Sequence, residues 1–164
     1  ITTRLVGSEM CIRDSLDTDQ IIASQYLLLP NLDEMKGHAF ESLDPDFAKK
    51  VKSGDFVVGG ENFGCGSSRE QAPEIIKALG IKCVIAKSFA RIFFRNSINN
   101  GLLLIENDKL HDDVKEGDSI TVTVNENIEY DGNKYPIASL PDNLVEIIDA
   151  GGLVKAMRKL NGLD

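Results

Sequence analysis

The spacing of apolar residues predicts a chain that alternates buried strands with amphipathic helices over its first two thirds. Residues 55–58 and 81–86 are short apolar runs of the kind found in buried strands. Residues 71–79 and 89–96 have apolar side chains at helical spacing. A further apolar run at residues 102–105 completes the pattern, which indicates parallel crossovers.

From Gly117 onward the apolar pattern becomes an alternation, which predicts antiparallel strands. Ile120 and Val122 alternate with threonines, and the Asp-Gly-Asn turn at residues 131–133 then joins two strands as a hairpin. A helical C-terminal region follows, interrupted by two glycines at residues 151–152. Together the elements predict one mixed α/β domain.

The first fifteen residues follow neither pattern. Residues 6–15 look like translated sequencing-adapter read-through. We therefore interpret residues 1–15 as a non-native N-terminal scar, in which Cys11 has no function, and expect the domain to occupy residues 16–164. The alternative is a genuine, divergent N-terminus.

Composition and charge narrow the class of protein. The chain has 164 residues, 42% hydrophobic and 27% charged, as is ordinary for one globular domain. A formal net charge of -8 argues against nucleic-acid binding but leaves room for a small cationic pocket. Three cysteines without C-x-x-C spacing predict neither a disulfide framework nor a metal site, and they favour a reducing, cytoplasmic compartment. No apolar run is long enough to cross a membrane.

A glycine-rich turn between the first predicted strand and helix holds the densest group of chemically useful residues. Its sequence from Gly59 is GGENFGCGSSREQ, with four glycines in eight positions, which lets a ligand approach the backbone. Ser68 and Gln71 have capping-box spacing, so we expect Ser68 to cap this helix, and Ser88 to cap the next one. Free N–H groups at such a helix start attract anions.

One arginine and two serines give this turn its candidate chemistry. The planar guanidinium of Arg69 can grip a carboxylate or phosphate at two points, whereas Ser67 could act as a base only under a positive potential. No histidine lies in the motif to activate a serine, which makes hydrolase chemistry a weak alternative. An ordinary serine cap beside a surface arginine, with no chemical role, is another alternative. Arg91 and Arg95, on the second helix, could add positive potential near the pocket, but surface salt bridges are the expected role of each.

Three ordered blocks of the sequence belong together: GENFGCGSSREQAP at residues 60–73, LDTDQII at residues 16–22, and AKSFARIFFRN at residues 86–96 followed by NGLL at residues 100–103. They resemble the small-subunit family of 3-isopropylmalate dehydratase, in the aconitase superfamily. The resemblance implies a single three-layer β/β/α swivelling domain with a mixed sheet. It also implies a hydro-lyase that isomerises 2-isopropylmalate to 3-isopropylmalate by dehydration and rehydration in leucine biosynthesis.

The same resemblance implies that this chain is active only together with a large subunit. That partner would carry a [4Fe-4S] cluster, whereas this chain would bind no metal or cofactor of its own. The substrate would be a small dicarboxylate. Neither nucleic acid nor membrane is an expected partner.

The resemblance also assigns roles to residues of the glycine-rich turn. Ser67, as an alkoxide, would be the catalytic base, and Ser68 would bind the substrate or hold Ser67. Arg69 would hold a substrate carboxylate. The backbone N–H groups of Gly66, Ser67 and Ser68 would support the anion.

Two earlier segments would complete the substrate site. Asp19 would face it and orient an arginine or a substrate hydroxyl, whereas Asp17 and Thr18 are expected to be structural. Leu28 and Leu29 follow a Tyr-Leu pair, at the positions where the family selects the variable group of the substrate. Apolar residues there favour an isopropyl group and leave a third carboxylate unpaired. Leucines of an ordinary core strand would look the same.

Other functions stay open on the sequence alone. Citramalate or dimethylmalate would present a similar apolar group to Leu28 and Leu29. A non-catalytic protein, either an anion-binding module or a scaffold or regulatory protein derived from the superfamily, is a second alternative. A nucleotide-binding module is a third, although no G-x-x-x-x-G-K-[ST] motif occurs.

Overall fold

The computed structural model describes residues 2–6, 16–115 and 117–163. Its strands are β1 Thr2–Val6, β2 Phe56–Gly59, β3 Cys83–Ala86, β4 Leu103–Glu106, β5 Ser119–Thr123, β6 Asn127–Tyr130 and β7 Asn133–Pro136. Its α-helices are α1 Thr18–Ile21, α2 Leu32–Lys36, α3 Phe47–Lys50, α4 Gln71–Ala78, α5 Arg91–Asn99, α6 Leu110–Asp113, α7 Asp142–Asp149 and α8 Leu153–Leu160. A short 3-10 helix, Ser24–Leu28, lies between α1 and α2. None of these helices has both the length and the apolar character to pass through a membrane.

The strands form a mixed sheet whose two halves differ in direction. Their spatial order is β4-β3-β2-β1-β5-β6-β7. The first four run parallel, with Leu5 of β1 opposite Phe56 of β2. The others run antiparallel, with Thr3 of β1 opposite Ile120 of β5. Strand β1 therefore joins the parallel half to the antiparallel half.

Two apolar cores lie on opposite faces of the parallel strands. Because side chains alternate along a strand, Val57 and Val84 enter one core together with residues of α1 to α5. Phe56 and Ile85 enter the other, which also contains Ile120 and further residues of the antiparallel strands. Helices, parallel strands and antiparallel strands thus form three layers. This confirms the predicted three-layer β/β/α fold with a mixed sheet.

The N-terminal segment departs from the sequence-based prediction. The predicted domain begins at residue 16, and Thr2–Val6, which it leaves out, form β1 in the middle of the sheet. The sheet therefore includes five residues that precede the predicted domain, while their interpretation as non-native stays a prediction. The interpretation of residues 7–15 as a scar, Cys11 included, lies outside the described residues.

The two predicted serine caps are wrong. Helix α4 begins at Gln71 after Glu70, so that no capping box forms with Ser68. Pro73 consequently falls in the first turn, where its missing N–H breaks no helical hydrogen bond. Helix α5 begins after Ala90 without a side-chain cap. The Ser88 hydroxyl instead accepts a hydrogen bond from the Asn62 N–H at 2.9 Å and so fixes the start of the glycine-rich turn.

Candidate active site

The segment around α1 holds the glycine-rich turn in place. The Gly64 N–H donates to the Leu16 carbonyl at 2.7 Å, and the Thr18 N–H donates to the Cys65 carbonyl at 2.8 Å. The hydroxyl of Thr18, which is almost fully buried, donates to the Ser67 carbonyl at 2.9 Å. These bonds position the backbone on both sides of Gly66 and leave the serine side chains pointing away from the core.

Two glycines of this turn are needed for close packing as well as for backbone conformation. Gly64 has φ +80° and Gly66 has φ +92°, both in the region that disfavours residues with a Cβ. A Cβ on Gly64 would overlap the Phe93 ring, and one on Gly66 would overlap the Asp17 carboxylate. Asp17 is itself fixed, because it caps α1 through the Asp19 N–H at 2.8 Å. The turn therefore fits closely against both neighbouring segments.

The two serines offer free polar groups at the surface. Ser67 and Ser68 are both exposed, and neither hydroxyl has a hydrogen-bond partner among the described residues. The same holds for the backbone N–H groups of Gly66, Ser67 and Ser68, whereas the next one along, that of Arg69, donates to the Ser67 carbonyl at 2.8 Å. Three successive N–H groups beside two hydroxyls can stabilise a negative charge.

Arg69 is mostly buried and is held by three groups of its own chain. Its Nη1 donates to the Ile22 carbonyl at 2.8 Å, and its Nη2 donates to the Ser24 hydroxyl at 2.9 Å. Nη2 also forms an ion pair with the Asp19 carboxylate. The side chain of Asp19 is 57% exposed and that of Arg69 only 13%. Asp19 therefore orients this arginine, and the remaining N–H groups on Nε and Nη1 are the ones left for a ligand.

The serines and Arg69 line one pocket of about 300 Å³ with the first turn of α5. Its other lining residues are Thr18, Gly64, Gly66, Ala90, Arg91, Ile92, Phe93 and Asn96. Both charged residues in this set are arginines, so that the pocket is cationic within a chain of net charge -8. Within the part of the chain that the structure describes, neither Arg91 nor Arg95 forms an ion pair, so the expected surface salt bridges are absent.

The first turn of α5 lines the pocket, which agrees with the less favoured of the two expectations for Arg91, a positive potential near the pocket. The glycine-rich turn follows β2, and residues 87–90 follow the neighbouring parallel strand β3. Loops that follow parallel strands meet at the same edge of a sheet, where ligands of α/β proteins usually bind. Here the bridge between Phe63 and Phe89 joins the two loops directly.

The predicted selectivity residues lie in the 3-10 helix and immediately after it. Leu28 is 89% exposed, which contradicts the alternative of a core strand, and Leu29 packs partly against the core. Neither residue lines the serine pocket. Tyr26 of the same short helix stacks on His38 with ring centroids 3.9 Å apart. The hydroxyl of Ser24 in this helix contacts Arg69, so the segment with Leu28 is linked to the site through that arginine.

The thiol nearest the serines is not a good nucleophile. Burial raises the pKa of Cys65, and the Asp17 carboxylate raises it further, so that the thiol stays protonated near neutral pH. The described residues contain no group of three or more His, Cys, Asp or Glu side chains that could hold a metal ion.

Cavity size alone does not locate the site. Larger cavities of about 460 Å³ and 540 Å³ lie around α7 and α8. A third, of about 320 Å³, adjoins the serine pocket at Arg91 and is lined mainly by apolar residues such as Phe94 and Leu140. The pocket at the serines is distinguished by its free hydroxyls, free N–H groups and positive charge.

The chain is similar over nearly its whole length to named proteins. The profile of the aconitase C-terminal domain matches residues 17–110, which include every residue that lines the serine pocket. The 3-isopropylmalate dehydratase small subunit of Lachnospira eligens is 67% identical over 158 residues, which cover 96% of each chain. The small subunit 1 of Archaeoglobus fulgidus is 53% identical over 150 residues, 90% of this chain and 92% of that one. A crystal structure of 3-isopropylmalate dehydratase from Methanocaldococcus jannaschii matches with a TM-score of 0.89 at 43% identity, covering 98% of this chain and 95% of that chain.

Proposed function

The chain belongs to the aconitase C-terminal domain family and, within it, to the small subunits of 3-isopropylmalate dehydratase, and from this premise we propose its activity. It supplies one half of the active site of a hydro-lyase. With a large subunit, this enzyme isomerises 2-isopropylmalate to 3-isopropylmalate by dehydration and rehydration, as a step of leucine biosynthesis in the cytoplasm.

One observation carries this proposal: exposed serine hydroxyls and unpaired N–H groups share a pocket whose charged residues are arginines. A serine hydroxyl is deprotonated only where positive charge stabilises the alkoxide. Here that charge comes from Arg69 and from the N–H groups of Gly66, Ser67 and Ser68. A scaffold protein would have no use for this arrangement.

The chemistry of this half is proton transfer and substrate binding. In dehydration, the Ser67 alkoxide takes the proton from the carbon beside the carbinol, the electron pair forms the double bond, and the hydroxyl leaves and becomes water with a proton from solvent. In rehydration, water gives its hydroxyl to the carbon that lost the proton and releases its other proton to solvent, while the Ser67 hydroxyl returns its proton to the former carbinol carbon. Ser68 donates a hydrogen bond to the substrate or to Ser67. Arg69 directs its remaining N–H groups at a substrate carboxylate, held in position by Asp19.

The large subunit supplies what these residues lack. A [4Fe-4S] cluster on that subunit would act as a Lewis acid for the departing hydroxyl. Because this chain offers the cluster no ligand set among its described residues, every role assigned to it concerns the substrate. The exposure of Ser67 and Ser68 leaves them accessible to a second protein.

Substrate choice is assigned to the segment around Leu28 and Leu29. The exposed Leu28 can meet an apolar group of a substrate held at the subunit interface, whereas a carboxylate there would lose its water without gaining a cation. Citramalate and dimethylmalate share the apolar character of isopropylmalate and are the alternative substrates.

The test is to mix the chain anaerobically with an iron–sulfur large subunit and follow hydration of isopropylmaleate by its ultraviolet absorbance. We expect Ser67→Ala to lower kcat by about 10²- to 10⁴-fold, the range for loss of a general base, while co-elution of the subunits is unchanged. Ser139→Ala, an exposed serine outside the pocket, is the matched control. Full turnover by Ser67→Ala would refute the assignment of the base, and faster hydration of citraconate or dimethylmaleate would change the substrate.

A further inference from the structure

Arg91 is fixed next to the serines by the segment that precedes it. The Phe63 N–H donates to the Ser88 carbonyl at 3.0 Å, and the Ala90 N–H donates to the Phe63 carbonyl at 3.0 Å. This two-bond bridge ties the start of α5 to the glycine-rich turn. Since Arg91 is the first residue of α5, its Cα has a fixed position at the edge of the serine pocket.

The guanidinium of Arg91 is available, whereas that of Arg69 is largely engaged. Arg91 is exposed and has no hydrogen bond or ion pair with any described residue, while Arg69 contacts three groups of its own chain. Glu106 borders the adjoining cavity that Arg91 also lines, but no ion pair joins the two side chains. Arg91 is thus a cation of the pocket whose five donors are all unused by the described part of the protein.

A dicarboxylate substrate carries two negative charges. One carboxylate can use the donors that Arg69 has left, and Arg91 is the other charged residue that this chain's lining of the pocket offers to the second, whose burial without a cation would be unfavourable. An unengaged guanidinium suits this task because it can bind a carboxylate at two points.

We infer that Arg91 binds one carboxylate of the substrate while Arg69 binds the other, so that the two arginines span the dicarboxylate across Ser67. This inference rests on the proposed function and extends it to a residue of α5. Arg95 provides the internal comparison, because it lies one turn further along the same helix, is exposed, and does not line the pocket.

The experiment compares Arg91→Gln, Arg91→Lys and Arg95→Gln in the reconstituted pair with wild type. Substrates are isopropylmaleate and its two monomethyl esters. We expect Arg91→Gln to raise KM for the diacid about 10- to 100-fold, the effect of losing a charged hydrogen-bond partner. Arg91→Lys should recover part of this loss because it keeps the charge. Arg95→Gln should change KM less than about twofold.

The monoesters give a result that a purely structural role would not. Wild type should prefer the diacid over the ester that lacks the carboxylate bound by Arg91, and Arg91→Gln should reduce this preference by a factor similar to its KM effect. For the other ester, Arg91→Gln should leave the preference for the diacid unchanged. An unaltered KM, equal effects on all three substrates, or a loss confined to affinity for the large subunit would overturn the role of Arg91. An inactive wild-type pair would refute the proposed function and, with it, this inference. Failure of the inference alone would leave the wild-type pair active, so the two failures are distinguishable.

Discussion

Gly66 gives the sharpest test of how the serine turn is held. In Gly66→Ala, a Cβ is introduced at φ +92°, where L-residues are disfavoured by about 1–2 kcal/mol. The Cβ would also overlap the Asp17 carboxylate, which has to move and give up its cap on α1, at about 0.5–2 kcal/mol. The expected loss in free energy of unfolding is therefore about 1.5–4 kcal/mol.

Gly132→Ala is the matched control for the backbone term. Gly132 has φ +75°, and no described atom lies within 4 Å of the point that a Cβ would occupy, so that only the conformational loss of about 1–2 kcal/mol applies. Urea unfolding followed by circular dichroism measures both variants. The overlap can be isolated in a double-mutant cycle: in an Asp17→Ala background, Gly66→Ala should cost less than in wild type. Equal losses for the two glycine variants, or strict additivity in the cycle, would refute the proposed close packing against Asp17.

Three further results are expected. Thr18→Val removes the donor to the Ser67 carbonyl, so it should lower the free energy of unfolding by about 1–2 kcal/mol and also lower kcat; unchanged kcat would show that Thr18 does not position Ser67. Leu28→Arg should shift relative hydration rates towards unsaturated tricarboxylates, and unchanged ratios would contradict the specificity assignment. The Tyr130 hydroxyl donates to Asp118 at 2.6 Å and lowers the pKa of that carboxyl. This stabilisation is complete above the ordinary pKa of about 3.9 and is lost as pH falls through the lowered pKa. The loss of unfolding free energy caused by Tyr130→Phe, measured by urea unfolding, should therefore be larger at pH 7 than at pH 2. An equal loss at both pH values would contradict the role of this hydrogen bond.

Periodicity was sufficient for most of the fold because the buried strands carry continuous apolar runs. Val57 and Val84 on one face and Phe56 and Ile85 on the other show why, since both faces of the parallel strands are covered. Strand β1 could not be found in the same way. Its sequence, Thr-Thr-Arg-Leu-Val, has no clear alternation, and its place in the sheet depends on pairing with two distant strands.

The candidate site was only partly predictable for a related reason. The sequence motif identified Ser67, Ser68 and Arg69, which do share one pocket. The helix-capping rules, however, assigned the wrong hydrogen-bond partners to two serines of this region. Capping rules consider only neighbours in sequence, whereas Ser88 contacts Asn62 across two loops. The position of Arg91 likewise depends on a long-range backbone bridge that has no signature in its own segment.

The location of β1 has a consequence for how the molecule is assembled. Thr2 lies opposite Thr121, so two segments that are far apart in the sequence have to meet before the centre of the sheet can close. Until then β2 and β5 each present an open edge, the kind of surface on which nascent chains misassociate. Removing only the five residues of β1 would accordingly separate the two halves of the sheet.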